Sequence, residues 1–336
     1  ENKNKLSTLN NNNNNNNYNK LGPYLAGLIE GDGSIFISNN QNRNRYSPKI
    51  YIVFNLKDKG FAEYLCKILD IGQIEDKSKK GNYILWTITT IEDVYKLINL
   101  VNGYFRTPKH EALIKAIDWI NNYIKESKRL KYDLKNPLMV YNKNKREEIL
   151  SKISLIPVLG LDNSKLGSNG WLAGFTDADG NFSISLSLNS KKHNPRINLS
   201  YRLEITKVYK NHNTYISTYN ILMKIATLFN TGLYSRERKE KLINQDRIKV
   251  YGSYIVSVNS VQNLLKVKEY FNKYPLLSSK YLDYKDWELM LDTIKLYNSS
   301  TNIKCVKLGK RLRLNYNSTR KDITWDYLKG NIINYK

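Results

Sequence analysis

The sequence predicts an α+β fold in which a unit of helices and strands occurs twice along the chain. A short motif recurs, a second stretch recurs downstream of it in the same order, and apolar residues alternate with polar ones in the segments between. Period-two alternation indicates strands that bury one face, and repetition of a whole series of elements indicates a duplication. At 336 residues the chain is long enough for two core-forming units.

Two pairs of matching stretches carry the evidence for the duplication. Residues 24–33 read YLAGLIEGDG and residues 171–180 read WLAGFTDADG. Residues 90–97, TIEDVYKL, correspond to residues 260–267, SVQNLLKV, and both follow an apolar run. Each unit then ends in a lysine-containing turn before a long helix with a tryptophan. More residues separate the two stretches in the second unit than in the first, and we expect these additional residues in loops.

Each unit reads helix, two strands, helix, two strands, helix. The alternation is clearest in residues 181–189 and 196–206, where Phe, Ile, Leu and Tyr alternate with Asn, Ser and Arg. An ordinary half-solvated sheet has a similar pattern, but the excess of Arg, Asn and Ser over Glu suits contact with base edges and phosphates. The side chains that we predict to bind nucleic acid are Ser183, Ser185, Ser187, Arg196, Asn198, Arg202, Arg236 and Arg238.

These patterns divide the chain into five segments. Residues 1–20 are Asn-rich and low in complexity, and we expect them to be disordered. The remaining segments are a first repeat at 21–124, a linker rich in Lys, Asn and Leu at 125–168, a second repeat at 169–300 and a basic C-terminal tail at 301–336.

The charge balance favours a polyanionic partner. The formal net charge is +24, from 54 basic and 30 acidic residues. Phosphate backbones and anionic membranes are the common partners of such an excess, although a basic soluble protein can carry it without either. No apolar run approaches the roughly 18 residues that a membrane-spanning helix needs. We therefore expect nucleic acid rather than a membrane.

Cysteine and histidine usage excludes several classes of site. Cys66 and Cys305 are the two cysteines, too few for a four-cysteine zinc site or a disulfide framework. The three histidines show no metal-ligand spacing. Carboxylates remain as metal ligands, and they favour hard cations such as Mg²⁺. The wealth of Asn, Lys, Ile and Tyr is typical of an AT-rich genome such as a fungal mitochondrial one, and we expect an organelle-encoded protein of the mitochondrial matrix.

The repeated motif predicts two helices that pack closely against each other. Gly27 and Gly31 lie four residues apart on one helical face, and so do Gly174 and Ala178. Small residues at this spacing let two helix backbones approach. The glycines that follow each motif, Gly33 and Gly180, are expected to end the helices.

Each motif also carries a carboxylate in an unfavourable place. Asp32 and Asp179 fall in the last helical turn, where an acid opposes the helix dipole at a cost of roughly 0.3–1 kcal/mol. Close packing of the two helices would add repulsion between them. Metal ions would remove both penalties, and paired carboxylates that hold metals against a phosphate are typical of two-metal phosphodiesterases. A structural acid that merely precedes a glycine is the alternative.

The two motifs resemble the signature of the LAGLIDADG homing endonucleases and intron maturases, and the resemblance covers about residues 21–300. It implies two αββαββα repeats related by a pseudo-twofold axis, with the motif helices at the interface and two four-stranded sheets that straddle DNA. It further implies that Asp32 and Asp179 bind metal, Mg²⁺ or Mn²⁺, with the backbone carbonyls of Gly31 and Ala178 assisting.

The resemblance assigns further residues to the catalytic pockets. A lysine just before the final helix of each repeat is expected there, which corresponds to Lys109 and Lys280. Either lysine could instead be a solvated turn residue. A polar residue that ends the second strand is expected to order pocket water, which corresponds to Asp58 and Lys207. Lysine departs from the family pattern at that position.

Three functions remain open on this evidence. The leading one is a monomeric, site-specific endonuclease that cuts one phosphodiester in each strand of duplex DNA and leaves short 3′ overhangs. The second is an RNA maturase that assists splicing of its own group I intron, alone or in addition. The third is a catalytically silent DNA-binding relative. Residues 304–320 are rich in cations and would contact either intron RNA or the phosphates of flanking DNA.

Overall fold

The computed structural model describes residues 20–37, 47–79, 81–132, 134–187, 195–211, 214–241 and 248–335. All but the last residue of the Asn-rich leader lies outside the described residues, and so do residues 188 and 189 of the predicted alternation. Two copies of one order of elements follow each other: a helix, two strands, a helix, two strands and two further helices.

The first repeat forms a four-stranded antiparallel sheet with the order β1-β2-β4-β3. The side chain of Thr90 caps the third helix by accepting a hydrogen bond from the backbone N–H of Asp93 at 3.1 Å. The elements are α1 (Leu21–Asp32), β1 (Gly33–Phe36), β2 (Lys49–Asn55), α2 (Lys59–Leu69), β3 (Gln73–Asp76), β4 (Tyr83–Ile88), α3 (Ile91–Val101) and α4 (His110–Ser127), followed by α5 (Pro137–Lys152).

The second repeat forms an equivalent four-stranded sheet with the order β5-β6-β10-β9. The strands β7 and β8, which lie between β6 and β10 in the chain, form a separate two-stranded sheet. The elements of this repeat are α6 (Trp171–Asp179), β5 (Gly180–Ser187), β6 (Arg196–Thr206), β7 (Val208–Asn211), β8 (Thr214–Ser217), α7 (Tyr219–Leu228), β9 (Leu233–Lys241), β10 (Ile248–Val258), α8 (Val261–Lys273) and α9 (Lys280–Tyr297).

The additional residues of the second repeat are not confined to loops, so that expectation is wrong in part. The β7–β8 hairpin has no counterpart between β2 and α2. In addition, β9 and β10 have 9 and 11 residues, whereas the corresponding β3 and β4 have 4 and 6. Longer strands extend the sheet surface, because each residue adds about 3.3 Å of strand.

The alternation predicted for the second sheet is present in the described strands. Phe182, Tyr201 and Leu203 are fully buried, whereas Asn181 and Arg196 are exposed. The buried faces of both sheets join one continuous hydrophobic core, which the motif helices α1 and α6 also enter. Burial of one face fixes the register of each strand, since a slip by one residue would exchange core and solvent faces.

The linker and the basic tail both contain ordered helices. Helix α5 lies within the segment expected as a linker and buries none of its residues. The tail forms α10 (Ile303–Leu312) and α11 (Tyr327–Asn331). Tyr316, Leu328 and Tyr335 of the tail are buried in the core. Within the described ranges, the helices are too short or too polar for any of them to cross a lipid bilayer.

Candidate active site

The two motif helices pack directly against each other, backbone to backbone. A Cβ atom on Gly27 would overlap the carbonyl oxygen of Trp171, and one on Gly174 would overlap the carbonyl oxygen of Tyr24. The two contacts are equivalent, because each glycine meets the first motif residue of the other repeat. The structure brings to this contact the small residues predicted for it, namely Gly27, Gly31, Gly174 and Ala178.

The two glycines end the motif helices as predicted, and they do so in an extended conformation, not the left-handed one that is common after a helix. Gly33 has φ −89° and ψ 158°, and Gly180 has φ −83° and ψ 159°, both extended. The chain passes from each helix straight into a strand, which requires this conformation. Glycine is needed for space instead: a Cβ on Gly33 would lie 2.6 Å from the carbonyl oxygen of Ile29.

Asp32 and Asp179 lie at the ends of α1 and α6, on neighbouring positions of the helix contact. A Cβ on Gly31 would lie 3.2 Å from Asp179 Oδ2, which places the second carboxylate beside the first motif. Protein surrounds most of the Asp32 carboxyl although one side is open to solvent. This burial, with repulsion from Asp179, raises the pKa of Asp32 to about 6. Burial also raises the pKa of Asp179.

Each predicted catalytic lysine contacts the end of the motif helix in its own repeat. Lys109 Nζ donates to the carbonyls of Ile29 at 3.0 Å, Gly31 at 3.2 Å and Gly33 at 2.7 Å. Lys280 Nζ donates to the carbonyls of Thr176 at 2.7 Å, Asp177 at 2.9 Å and Ala178 at 3.4 Å. A cation here adds a donor to carbonyls of the last helical turn and complements the helix dipole.

The lysines also carry charge toward the paired acids. Burial lowers the pKa of both Lys109 and Lys280, whereas the nearby carboxylates, Asp32 and Asp179 among them, oppose that effect. Both cations in turn favour the ionised form of Asp179. The pair of acids and the pair of lysines therefore form one electrostatic cluster across the interface.

The two residues predicted to order water, Asp58 and Lys207, have different surroundings: Asp58 contacts the other repeat, whereas Lys207 pairs within its own sheet. Asp58 Oδ1 accepts the backbone N–H of Ser279 at 2.8 Å, across the interface, and its charge acts on Asp32 and Lys280. Lys207 turns away from the acids: its Nζ contacts Glu237 Oε1 at 3.1 Å. Lys207 therefore does not place its ammonium group at the predicted water-ordering position, because the side chain pairs with Glu237 of β9.

A cavity of about 290 Å³ adjoins the cluster at Lys109 and Asp179. Residues from the end of β6 and from the hairpin line it, so the second-repeat insertion shapes this pocket. Its lining includes Lys109, Asp179, Glu204, Thr206, Tyr209 and Thr218. The sequence analysis did not identify the last four as pocket residues, because their positions depend on where β6 ends.

The other acid in each motif has a structural role that was not predicted from the sequence. Glu30 is buried and accepts hydrogen bonds from the backbone N–H groups of Arg106 and Thr107 and from the Trp171 indole at 2.6 Å. Asp177, at the same motif position, accepts from Tyr24 at 2.5 Å and from Ser278. Burial raises the pKa of Glu30 to about 7. The recurring aromatic residue at the start of each motif was the available signal.

The strand register puts the predicted nucleic-acid contacts on one face of the second sheet. Ser183 pairs with Ser200, Asn181 with Arg202, and Ser253 with both Thr206 and Arg236. The alternation of strands then gives one shared outward face to Ser183, Ser185, Ser187, Arg196, Asn198, Arg202, Arg236 and Arg238.

One acid on that face engages two of the arginines. Arg202 NH2 contacts Glu204 Oε2 at 2.7 Å, and Arg238 NH2 lies 3.6 Å from Glu204 Oε1. The Arg238 side chain is 59% exposed and that of Arg202 is 39% exposed. Exposed ion pairs are weak, so these cations are available to a phosphate or a base.

The donor set suits a cation that is shared with a phosphate. No group of three or more His, Cys, Asp or Glu side chains that could hold a metal occurs among the residues that the structure describes. Asp32 and Asp179 instead offer two carboxylates, and the preceding carbonyls of Gly31 and Ala178 accept long hydrogen bonds from Lys109 at 3.2 Å and Lys280 at 3.4 Å. Mg²⁺ is commonly bound by one or two carboxylates, with substrate phosphate and water completing its octahedron.

Comparison with known proteins agrees with this geometry. The family model described as LAGLIDADG endonuclease matches residues 25–120 and 172–291. The chain is 42% identical over 330 residues to the intron-encoded DNA endonuclease aI3 of Saccharomyces cerevisiae. The aligned region covers 95% of this chain and 75% of that protein. The chain is 29% identical to the uncharacterized cox1 intron-2 protein of Schizosaccharomyces pombe, over 80% of this chain and 64% of that protein.

Solved structures share the fold. The LAGLIDADG homing endonuclease I-GzeII in complex with its DNA target has a TM-score of 0.59 at 20% identity, covering 89% of this chain and 99% of that one. I-SmaMI bound to cleaved DNA has a TM-score of 0.60 at 17% identity, covering 90% and 99%. With both motifs matched by the family model, the chain belongs to the LAGLIDADG endonuclease family.

Proposed function

We propose that this protein is an intron-encoded homing endonuclease that makes a double-strand break at a long site in duplex DNA. The observation that carries the proposal is the pair of carboxylates, Asp32 and Asp179, at the ends of two closely packed helices. A partly buried lysine, Lys109 or Lys280, contacts the end of each of these helices. The similarity to a yeast intron-encoded DNA endonuclease over nearly the whole chain supports the same conclusion.

Asp32 and Asp179 would hold the divalent ions, with the carbonyls of Gly31 and Ala178 as neighbouring oxygen donors. A divalent cation at such a site supplies Lewis-acid stabilisation of phosphate charge and an activated water. We propose Mg²⁺ or Mn²⁺, and a related endonuclease, I-SmaMI, has been solved on uncleaved DNA in the presence of calcium ions. The pocket carbonyls carry partial negative charge, which suits a hard cation.

The lysines and Asp58 would complete the two reaction centres. Lys109 and Lys280 would stabilise the charge that builds on the phosphate in the transition state. Asp58, oriented by the Ser279 amide, would order the attacking water beside Lys280. The other centre has Lys109 and Asp179 but no ammonium from Lys207, and there Thr206 and Tyr209 line the cavity.

Duplex DNA is the proposed partner, and the eight side chains on the outward face of the second sheet would contact it. A major groove admits a β-ribbon, which matches this surface. One chain provides both reaction centres, so we propose that it acts as a monomer. The relatives named for introns, one of them a cox1 intron, support a site of action in the mitochondrial matrix.

The experiment is cleavage of a plasmid that carries the intronless junction of the host gene. We expect a linear product with short 3′ overhangs in Mg²⁺ or Mn²⁺ and none in EDTA. In a matched control plasmid the intron interrupts the site, and this plasmid should remain intact. Intact intronless plasmid in both metals would overturn the endonuclease proposal.

A second candidate function, assistance in RNA splicing, is favoured by the surface of α10. Val306 and Gly309 of this helix are buried, and Gly309 lies against Ile197 and Met290. The cations of α10 and the turn after it point to solvent, away from that contact: Lys304, Lys307, Lys310, Arg311 and Arg313. The predicted basic region therefore forms an ordered cationic surface, separate from the sheet, that suits an RNA backbone.

Two variants separate the two functions. Replacing Arg196 and Arg202 by Ala should impair cleavage of the DNA site and spare splicing of the intron transcript. Neutralising Lys307, Lys310 and Arg311 should impair splicing and spare cleavage. If the α10 variant instead weakens DNA binding alone, the helix contacts flanking DNA. Splicing activity without any cleavage by the wild-type protein would make the maturase the primary function.

A further inference from the structure

Residues 325–335, which we call the C-terminal strap, hold the loop that precedes Lys280. Three strap side chains, Tyr327, Asn331 and Tyr335, donate hydrogen bonds to consecutive carbonyls of that loop. The acceptors are Pro275 at 2.7 Å, Leu276 at 3.0 Å, Leu277 at 3.4 Å and Ser278 at 2.7 Å. Every one of these loop residues is buried. Buried carbonyls without a partner are unfavourable, so the strap determines the path of the loop.

The strap is anchored on both repeats. Arg320, just before it, forms a buried ion pair with Asp283 of α9 at 2.7 Å. The Trp325 indole covers Gly60 in α2 of the first repeat, where a Cβ would collide with the ring. The Tyr335 ring packs 5.2 Å from that of Tyr24 in α1. The segment therefore crosses the interface instead of covering the second repeat alone.

The loop that the strap holds carries two groups of the candidate site. Ser279 N–H orients Asp58 at 2.8 Å, and Lys280 begins α9 immediately afterwards. Tyr327, whose ring stacks on Tyr281 at 4.4 Å, lies within reach of the charge of Asp58. A displacement of the loop would thus move both Lys280 and the hydrogen bond that orients Asp58.

The other lysine loop is held by a different segment. The backbone N–H of Asp162 donates to the carbonyl of Phe105 at 2.8 Å, and the Asp162 carboxylate pairs with Arg106 at 2.6 Å. Lys109 follows this loop. Residues 159–164, in the segment expected as a linker, therefore hold the loop that precedes Lys109, as the strap holds the loop that precedes Lys280.

We propose that the C-terminal strap positions one reaction centre, the Lys280 centre (Asp32, Asp58 and Lys280), and that residues 159–164 position the other. The proposal rests on the proposed endonuclease function. Because each segment bonds to only one lysine loop among the described residues, weakening it should slow the cutting of one DNA strand. The two segments would then be specific for opposite strands.

The test uses the full-length protein and a site whose strands carry different labels. Lys280→Ala and Lys109→Ala first identify the strand that each centre cuts. Tyr327→Phe keeps the ring stack and removes the hydroxyl, so we expect about tenfold slower cutting of the Lys280 strand, unchanged cutting of the other strand and unchanged DNA affinity. Asp162→Asn should slow the opposite strand.

A matched control is Tyr274→Phe, which removes a hydroxyl next to the loop. That hydroxyl makes no hydrogen bond to a residue that the structure describes, and the variant should cut both strands at the wild-type rate. Equal slowing of both strands by Tyr327→Phe would overturn strand-specific positioning and indicate a general loss of stability.

Amide hydrogen exchange tests the proposal without cleavage. In the free protein, Tyr327→Phe should speed exchange in residues 276–280 and leave residues 104–109 unchanged. Unchanged exchange in the first loop would contradict the proposal even if the enzyme cuts DNA. If the wild-type protein does not cut but exchange responds as expected, the endonuclease function fails and the positioning role of the strap stands.

Discussion

The indole of Trp171 donates a hydrogen bond to the Glu30 carboxylate at 2.6 Å, across the boundary between the two repeats. Tyr24 and Asp177 form the equivalent bond in the other direction at 2.5 Å. All four residues are buried. Each motif thus begins with an aromatic donor and carries, six residues later, the acceptor for its counterpart. The pseudo-twofold interface is held by side chains as well as by close backbone packing.

Removing one of these donors should destabilise the protein. We expect Trp171→Phe to lower the free energy of unfolding by about 1–3 kcal/mol beyond the packing change, because a buried carboxylate loses a partner. Trp287→Phe is the matched control, since Trp287 is fully buried and its indole N–H has no partner among the described residues. Equal losses in urea titrations of the two variants would contradict the importance of the bond.

The glycines of the helix contact should not tolerate even a methyl group. Gly27→Ala and Gly174→Ala should each lower stability by at least about 1–3 kcal/mol, because the added Cβ would overlap a carbonyl oxygen of the facing helix. Gly160→Ala is the control, as a Cβ there meets nothing within 4 Å. Thermal melts of the first two variants that match the control would refute the close helix contact.

The duplication, the motif helices and the strand alternation could be predicted because they are local patterns. The alternation of apolar and polar residues around Phe182 predicts which face of the strand is buried, and it does so without knowledge of what the sheet packs against. The clustering of Asp32 with Asp179 followed from small residues at helical spacing, and Lys109 and Lys280 followed from family resemblance.

Other features depend on contacts between distant segments. Nothing local to Lys207 shows that Glu237 will attract its side chain, and the extended conformation of Gly33 follows from the strand it enters. The burial of Glu30 against Trp171 depends on the second repeat, which the first motif alone does not indicate. The strap residues Tyr327 and Tyr335 lie in a segment whose sequence is dominated by positive charge, and their hydrogen bonds depend on a loop about 50 residues earlier in the chain.

The raised pKa of Asp32 predicts a pH-dependent stability of the metal-free protein. Protonated Asp32 stabilises the fold at low pH, and this contribution is lost as the pH rises through about 6, where the carboxyl ionises beside Asp179. Asp32→Asn should lack that loss, so the difference between the two melting temperatures should grow between the ordinary carboxyl pKa of 3.8 and about pH 6 and level off above it. Mg²⁺ should restore the wild-type melt at high pH. A pH-independent difference would contradict the shift.

The basic sheet surface predicts strong salt dependence of DNA binding. With about eight phosphates contacted, log K should fall against log salt with a slope near −7. Arg202→Ala should make the slope shallower by about 1, whereas Lys145→Ala, on the exposed helix α5, should leave it unchanged. A wild-type slope shallower than about −3 would mean that the excess charge does not face DNA.

The central claim is that Asp32 and Asp179 hold the metal ions of the cleavage reaction and contribute little to DNA affinity. Cleavage and gel-shift assays on the same preparations of Asp32→Asn and Asp179→Asn test it most directly. The account predicts that neither variant makes a double-strand break, while both bind the site within about tenfold of wild type, or about 1.4 kcal/mol. Normal double-strand cutting by either variant would contradict it.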